Sequence, residues 1–501
     1  MALLTKEQYE TIAGGLRFYS EAFIDGKFVK AASGQTFTTE NPATGKPLAE
    51  ITACDEKDVE KAVQAARRAF VDGRWSRKSP GERKEVLIRW ASLIEQNADE
   101  LAVLETLDSG KPIHDTAQAD IPETAGCIAW HAEAADKLED TMTATGPGNV
   151  SLVVREPVGV VAAILPWNFP LLMAAWKLGP ILASGNSVVL KPSELTTLSM
   201  LRAAELAQEA GLPDGVLNVL TGFGPTVGEP MALHMDVDLI TFTGSTEVGR
   251  RLLGLSGQSN IKRVLLEMGG KNPCVVMPEI ADLDTAAEQA AAAVFWNMGE
   301  NCSSNSRLIL HKDIKDTFMP RLLEKAEAWT VGNPLDPQFP LGSMIEKSHM
   351  EKVLGYIARG KADGAKLIYG GRQIRQETGG YFVEPTIFDN VTPGMIIARE
   401  EIFGPVLAVL TCNSEAEAIA MANDTVYGLH ASIWSDNFNQ VHRMARAIRA
   451  GTVSVNCFSE GDFGTPFGGF KQSGFFGRDK SLWASRQYSE LKTIWMAITP
   501  E

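Results

Sequence analysis

Between Val158 and Met277 the chain alternates short apolar runs with stretches of helical periodicity. Val158–Leu165, Ser187–Leu190, Val216–Leu220, Leu239–Thr243, Val264–Leu266 and Cys274–Met277 read as strands. Phe169–Ala183, Leu195–Ala210, Thr226–Met235 and Thr246–Leu255 read as the helices between them. Near-continuous apolar strands alternating with helices predict an α/β fold with a parallel sheet covered on both faces. Before this series, residues 22–52 read as short strands around the Asp25-Gly26 hairpin signal. Three helices follow: Asp55–Phe70 capped by Asp55, one opened by Ser79-Pro80 and ending before Gly110, and one from about Pro122 to Lys137. A second αβ series begins with the strand Arg307–His311 and the helix Lys315–Trp329, runs to about Val455, and closes in the glycine-rich segment Gly461–Gly477. Thr141–Arg155 and Tyr488–Trp495 are β-like and belong to neither series, so they pair with each other or with another subunit.

Composition narrows the functional classes. A net charge of −15 over 501 residues argues against a nucleic-acid partner and against adhesion to an anionic membrane. The most apolar stretch, Val158–Lys177, has the length of a membrane span but is broken by Pro166, Asn168 and Pro170, so a buried strand and helix are expected there. The N-terminus MALLTKEQYE carries no basic, then apolar leader. The six cysteines form no CxxC pair and the seven histidines no cluster, so neither a metal site nor a disulfide framework is expected. The chain reads as cytoplasmic, with reduced thiols.

One of those cysteines stands apart. Cys302 lies in WNMGENCSSNSR, where the alanine-rich segment Ala286–Phe295 leads into a polar turn. Hydroxyls, amides and a carboxylate surround it, unlike an inert structural thiol. Parallel sheets bind ligands beyond the carboxyl ends of their strands, and four polar or glycine-rich segments fall there: Leu165–Pro170, Lys191–Glu194, Thr221–Gly224 and Gly244–Gly249. Gly244-Ser245 opens a helix and suits a pyrophosphate, though alone it also fits a capped tight turn. Lys191 and Glu194 suit a ribose, or equally a surface ion pair; a carboxylate there repels a 2′-phosphate and favours NAD over NADP. Glu267, between an apolar strand and Gly269-Gly270, has the setting of a raised-pKa base or of a structural hydrogen-bonding group. The Asn168 amide suits an oxyanion, or serves only as a turn residue. A thiol nucleophile, an amide donor, a carboxylate base and a dinucleotide-type sheet are together the parts for oxidising an aldehyde.

With PWNFP, KPSE, FTGSTEVG, LEMGGK, GENC, EEIFGPV (Glu400–Val406) and PFGGFKQSG (Pro466–Gly474) in this order, the chain resembles the aldehyde dehydrogenase superfamily along nearly its whole length. The ending GRDKSLWA…ELKTIW is similar to that of bacterial enzymes for γ-glutamyl-γ-aminobutyraldehyde and related amino or guanidino aldehydes. The resemblance implies the family's fold: a NAD-binding domain (1–138 and 159–268), a catalytic domain (269–476) and an oligomerisation arm (139–158 and 477–501) of a homodimer or homotetramer. It implies Cys302 as nucleophile, Asn168 with the Cys302 backbone N–H as oxyanion donors, and Glu267 as the base that releases the acid. Leu165, Pro166, Trp167, Lys191, Glu194, Gly224, Phe242, Gly244, Ser245, Val248, Lys352, Glu401 and Phe403 would hold NAD, with NADP used more weakly. Phe169, Met173, Trp176, Trp296, Phe458 and Phe467 would line the aldehyde tunnel, with Asn301 and Ser303 beside the thiol. Asp120 and Glu123, with Glu460 and Asp462, would favour a cationic terminus.

The substrate implied is an ω-amino, guanidino or γ-glutamylamino aldehyde. The alternatives are an aromatic or aliphatic aldehyde such as indole-3-acetaldehyde, and a CoA-acylating reaction, which Glu267 disfavours. Three positions depart from the family's usual pattern: Ser304 where Ala or Gly is common, His349 where Gln is common, and SGFFGRD, one residue longer than SGxGR.

Overall fold

The computed structural model describes residues 3–498; residues 1, 2 and 499–501 of the first and last expected segments lie outside the described residues. Two large sheets organise the chain. The first has eight strands. Its centre is five parallel strands in the spatial order Leu217–Val219, Ser187–Lys191, Val160–Ile164, Leu239–Thr243, Arg263–Glu267. The order of succession reverses at Val160–Ile164, so the crevice at the strand ends opens between the segment after Ile164 and the segment after Thr243. The central strands are buried on both faces, as parallel strands wrapped by helices must be.

The second sheet has seven strands in the order Lys366–Tyr369, Thr386–Asp389, Val406–Cys412, Arg307–His311, Pro273–Val276, His430–Trp434, Thr452–Val455, parallel except for the first. Residues 268–272 pass directly from the last central strand of one sheet to the middle of the other. The return is made by Gly474–Phe475, which pairs antiparallel with Leu266-Glu267. The glycine-rich closing segment therefore stitches the two sheets together rather than ending the second.

Thr141–Thr143, Asn149–Pro157 and Ser489–Ala497 form a separate three-stranded antiparallel sheet, so the two orphan β segments do pair with each other. Its last strand exposes Leu491, Ile494, Trp495 and Met496. No helix among the described residues is long and apolar enough to cross a membrane; the apolar stretch after Val158 is a strand and the buried helix Pro170–Ala183, divided where the prolines fall.

Two expectations are corrected locally, and one helix is added. The helix opened by Ser79 is two helices, Pro80–Gln96 and Ala98–Ser109, broken at Asn97, whose side chain donates to the Leu93 carbonyl. The third helix is shorter, Ile121–Glu133, and is preceded by a wide π-type turn over Thr116–Asp120. A capped helix at Lys6–Gly15 has only weak amphipathic patterning and was not foreseen.

Asn186 illustrates how the parts are locked together. Its Oδ1 accepts from Gly159 N–H, and its Nδ2 donates to the carbonyls of Ile181 and Tyr488, joining sheet, helix and C-terminal segment in a fully buried place. Asn186→Ala strands the buried Gly159 N–H, at a cost of about 1–3 kcal/mol, while the carbonyls of Ile181 and Tyr488 keep the backbone N–H groups of Asn186 and Val158. The urea midpoint of the variant is expected to fall clearly below that of the wild type; an unchanged midpoint would show that water replaces the amide without cost.

Candidate active site

Cys302 is presented by a strained backbone. The helix Leu283–Phe295 stops, and Asn297 and Met298 then take left-handed conformations (φ 53° and 55°) before Gly299 (φ 70°). Such residues cost on the order of 1–3 kcal/mol each and persist only where neighbours impose them. Here the neighbours are identifiable. Asn297 Nδ2 donates to the carbonyls of Asn168 (3.2 Å) and Glu300 (2.9 Å), and a Cβ on Gly299 would lie 2.2 Å from the Gly404 carbonyl oxygen. Beyond the turn, Asn272 Nδ2 donates to the carbonyls of Cys302 (2.8 Å) and Ser304 (2.9 Å). The Cys302 carbonyl presses on Gly270, where a Cβ would be 2.4 Å away. The Gly-Gly of LEMGGK is thereby explained: Gly270 admits the thiol's backbone, and Gly269 admits the Glu401 carboxylate, 2.1 Å from where its Cβ would be.

The thiol stands where two cavities meet. The first, about 240 Å³, is lined by Pro166, Trp167, Asn168, Thr243, Gly244, Ser245, Gly269, His349, Lys352, Glu401 and Phe403. The second, about 390 Å³, is lined by Phe169, Met173, Trp176, Trp296, Phe458, Phe463 and Phe467, with Glu123, Glu267, Asn301, Glu460, Asp462, Asp479 and Lys480. Cys302, Met173, Thr243 and Met268 border both. A thiol with one opening to a crevice at the sheet's switch point and another to an aromatic channel can meet two different molecules at once.

The first cavity has the donors a dinucleotide needs. Ser245 caps the helix Thr246–Gln258, so the free N–H groups of its first turn face the crevice. Lys191 and Glu194 do not line this cavity: they form an ion pair at 3.0 Å at the end of Ser187–Lys191, with Glu194 on a separate pocket beside Thr39 and Glu346. Glu401 accepts from Gly270 N–H at 2.8 Å, and burial pushes its carboxyl up to about 7. Trp167 packs edge-on against His349 and Phe403, and His349 Nε2 lies 2.7 Å from the Phe403 carbonyl oxygen. Burial holds that histidine down to about 4, so it is neutral at pH 7. Leu165 and Phe242 do not line the cavity: both are buried in the core of the sheet, and the Phe242 ring lies directly beneath Gly244. Gly224 and Val248 are exposed at the outer rim.

Asn168 is buried and donates from Nδ2 to the Glu300 carbonyl (2.9 Å), leaving its other amide hydrogen toward the cavity it lines. Beneath it, Lys111 donates to the Asn168 carbonyl (3.1 Å), lies 3.8 Å from the Phe169 ring centroid, and is ion-paired with Asp120. This overturns the placing of Asp120 at the tunnel mouth. The π-type turn carries its side chain inward, where it is fully buried and supports Asn168 through Lys111. Glu123, one turn on, does reach the channel. Ser303 is likewise corrected. Its hydroxyl is buried against the Glu460 carboxylate and Asn301 Oδ1, and it does not line the channel. The six aromatic and methionine positions expected to form the channel wall all line it.

Glu267 is buried, with Oε2 accepting from Gly469 N–H at 3.2 Å and Oε1 unpartnered. Burial, followed by the charge of Asp479, raises its carboxyl well above the usual range, while Lys177 and Arg478 oppose the shift. Asp479, held by Lys177 at 2.6 Å, and Lys480 were missed at the sequence level, although RDK stood in the quoted ending. In this segment Phe476 is exposed with φ 53°, and Lys480, which lines the channel beside Asp479, has φ 59°.

The sequence pattern of the Aldehyde dehydrogenase family matches residues 28–494. The chain belongs to the aldehyde dehydrogenase family. It is 51% identical to aminoacetaldehyde dehydrogenase of Pseudomonas aeruginosa, over 99% of each chain. It superposes on an indole-3-acetaldehyde dehydrogenase in complex with NAD+ with a TM-score of 0.98 at 54% identity, covering 99% of this chain and 100% of that one. A γ-glutamyl-γ-aminobutyraldehyde dehydrogenase from Burkholderia cenocepacia gives a TM-score of 0.97 at 51% identity with the same coverage. The fold is the aldehyde dehydrogenase fold.

Burial raises the Cys302 thiol well above its ordinary range, and the nearby charges of Glu460, Glu401 and Glu267 add to the shift. Alkylation of the ligand-free enzyme by iodoacetamide is therefore expected to keep accelerating with pH beyond 9, the ordinary thiol value. Glu460→Gln removes the largest opposing charge and should move the profile to lower pH. An unmoved profile would mean that Glu460 does not act on the thiol.

Proposed function

We propose that this aldehyde dehydrogenase oxidises an aldehyde to a carboxylic acid with NAD, the thiol of Cys302 carrying the acyl group. The position of Cys302 at the junction of the two cavities carries this reading. The Cys302 thiol gives up its proton to solvent as the sulfur adds to the aldehyde carbon entering from the aromatic channel. The second Asn168 amide hydrogen and the Cys302 backbone N–H receive the oxyanion, a preorganised arrangement in which one donor is typically worth about 10²–10³ in rate. NAD held in the smaller cavity by residues such as Trp167, Glu401 and Phe403 would supply the hydride acceptor. A thioester on Cys302 remains. Glu267 takes a proton from water, which attacks the thioester, releases the acid and restores the thiol; its buried, raised-pKa carboxyl is suited to proton transfer near neutral pH. Presence of this base favours water over CoA as acyl acceptor.

Pro166, Trp167, Gly244, Ser245, Lys352, Glu401 and Phe403 are the residues proposed to hold NAD at the cavity, with the Lys191–Glu194 pair on the ribose. Glu194 faces 2′- and 3′-hydroxyls favourably and repels a 2′-phosphate, so NADP is the weaker cofactor.

For the substrate, the carboxylates of Glu123, Glu460 and Asp462 along an aromatic channel support an aldehyde with an amino-bearing chain. Relatives named for aminoacetaldehyde and γ-glutamyl-γ-aminobutyraldehyde agree with this. The second reading, an aromatic aldehyde, has its own support in the six phenylalanine and tryptophan rings Phe169, Trp176, Trp296, Phe458, Phe463 and Phe467 and in the indole-3-acetaldehyde relative. The division into NAD-binding, catalytic and arm segments is retained as part of this proposal, as is a homodimer or homotetramer built through the arm.

Cys302→Ala is expected to abolish NAD-dependent aldehyde oxidation while NAD still binds, followed by cofactor fluorescence or calorimetry. Loss of both would make Cys302 a structural thiol and sink the mechanism. For assembly, Leu491→Glu with Trp495→Glu places charges on the exposed outer strand of the arm. Light scattering should then show a smaller species than the wild type; an unchanged mass would remove the arm from the interface.

A further inference from the structure

The channel holds a cation of its own. Lys480 is 3% exposed and lines the cavity. Its Nζ donates to the carbonyls of Glu460 (2.9 Å) and Gly461 (3.0 Å). It lies 5.1 Å from the Trp176 ring centroid and 5.8 Å from that of Phe467, the ring faces on which a substrate ammonium would sit. An ammonium has three hydrogens to give, and two are accounted for. Among the described residues no ion pair includes Lys480; the negative charges of Glu460 and Glu123, then Asp462, act on it without pairing with it. A buried ammonium with a spare donor and no paired anion is costly unless a ligand supplies the anion.

The signs in this channel discriminate between possible chain ends. A terminus bearing only an ammonium finds the rings already taken by Lys480. A terminus bearing only a carboxylate finds Lys480 but also meets Glu123, Glu460 and Asp462. A terminus bearing both, one carbon apart, satisfies both sets. We propose that Lys480 is a specificity-determining residue that receives the carboxylate of an α-amino acid group at the far end of the aldehyde, the ammonium of that group turning to the channel carboxylates. The inference rests on the larger cavity being the aldehyde's channel, as proposed above.

A matched series of amides of 4-aminobutanal tests it: γ-glutamyl (both charges), glutaryl (carboxylate only), 4-aminobutyryl (ammonium only) and butyryl (neither). In the wild type, kcat/KM for the γ-glutamyl amide should exceed that for the butyryl amide by about ten- to hundredfold, the worth of charge-assisted hydrogen bonds. In Lys480→Met the γ-glutamyl to 4-aminobutyryl ratio should collapse toward one, Lys480→Arg should keep part of it, and Glu123→Gln should lower the γ-glutamyl to glutaryl ratio instead. A proportional loss on all four amides in Lys480→Met would overturn the proposal, because the lysine would then only anchor the loop at Glu460 and Gly461. Unchanged ratios would overturn it equally. Failure of the underlying reading is distinguishable: the wild type would then oxidise indole-3-acetaldehyde well and discriminate among none of the amides.

Discussion

The structure depends on holding one backbone carbonyl, that of Cys302, in the seam between two sheets. Asn272 provides the hold. It lies at the end of the five-residue link from the first sheet to the second, and its amide bonds both Cys302 and Ser304. Its own Oδ1 accepts from His430 N–H, at the start of a neighbouring strand. The thiol is thus referenced to the second sheet through a single side chain, and to the first through the link that carries it. Gly270 makes the approach close enough, and the return strand at Gly474, with Ser473 hydroxyl donating to the Gly269 carbonyl, keeps the link from moving away. The position matters because the two cavities belong to different parts: one to the crevice of the first sheet, the other to the space between its helices and the closing loops.

Strain is distributed to match. The left-handed residues Asn297, Met298 and Phe403 flank the thiol and the smaller cavity, and each is over-determined by neighbours rather than by its own preference. Asn297 is tied into the Asn168–Glu300 pair, and Gly299 is pressed on Gly404, which follows Phe403 directly. The oxyanion donor, the cysteine turn and the Glu401–Phe403 segment are consequently one mechanical unit. Lys111 extends that unit downward: an ion pair with Asp120, a ring contact with Phe169 and a hydrogen bond to Asn168 hold the donor from below.

Much of this arrangement was legible in the sequence. Apolar strands ending in PWNFP, KPSE and GSTEVG marked the crevice, because the chemistry of a strand end and a helix start is local. The channel wall was legible only through the family resemblance, which named Phe169, Met173 and Trp176 along with Trp296, Phe458 and Phe467. What stayed hidden depended on backbone geometry without a local signal. Asp120 reads as a helix-start carboxylate, yet a wide turn rotates it into the core. Ser303 reads as a pocket hydroxyl, yet Glu460, 157 residues away, claims it. Lys480 falls in the segment assigned to the arm, yet it takes a positive φ and lines the channel.

The polar residues beside the thiol acquire a meaning from these corrections. Asn301 accepts from Ser303 backbone N–H, which fixes its amide the other way round, with Nδ2 buried and unpartnered at the channel it lines. Ser303 meanwhile holds Glu460 near the sulfur. The wall next to the reacting carbon is therefore not a greasy sleeve: it offers a free donor on one side and a fixed carboxylate on the other. That carboxylate disfavours the thiolate in the resting enzyme, as do Glu267 and Glu401. A thiol kept protonated by its burial, and further by its anionic surroundings, is protected from oxidation, since the thiolate is the reactive form. The same charges that slow its attack at rest preserve it for the aldehyde.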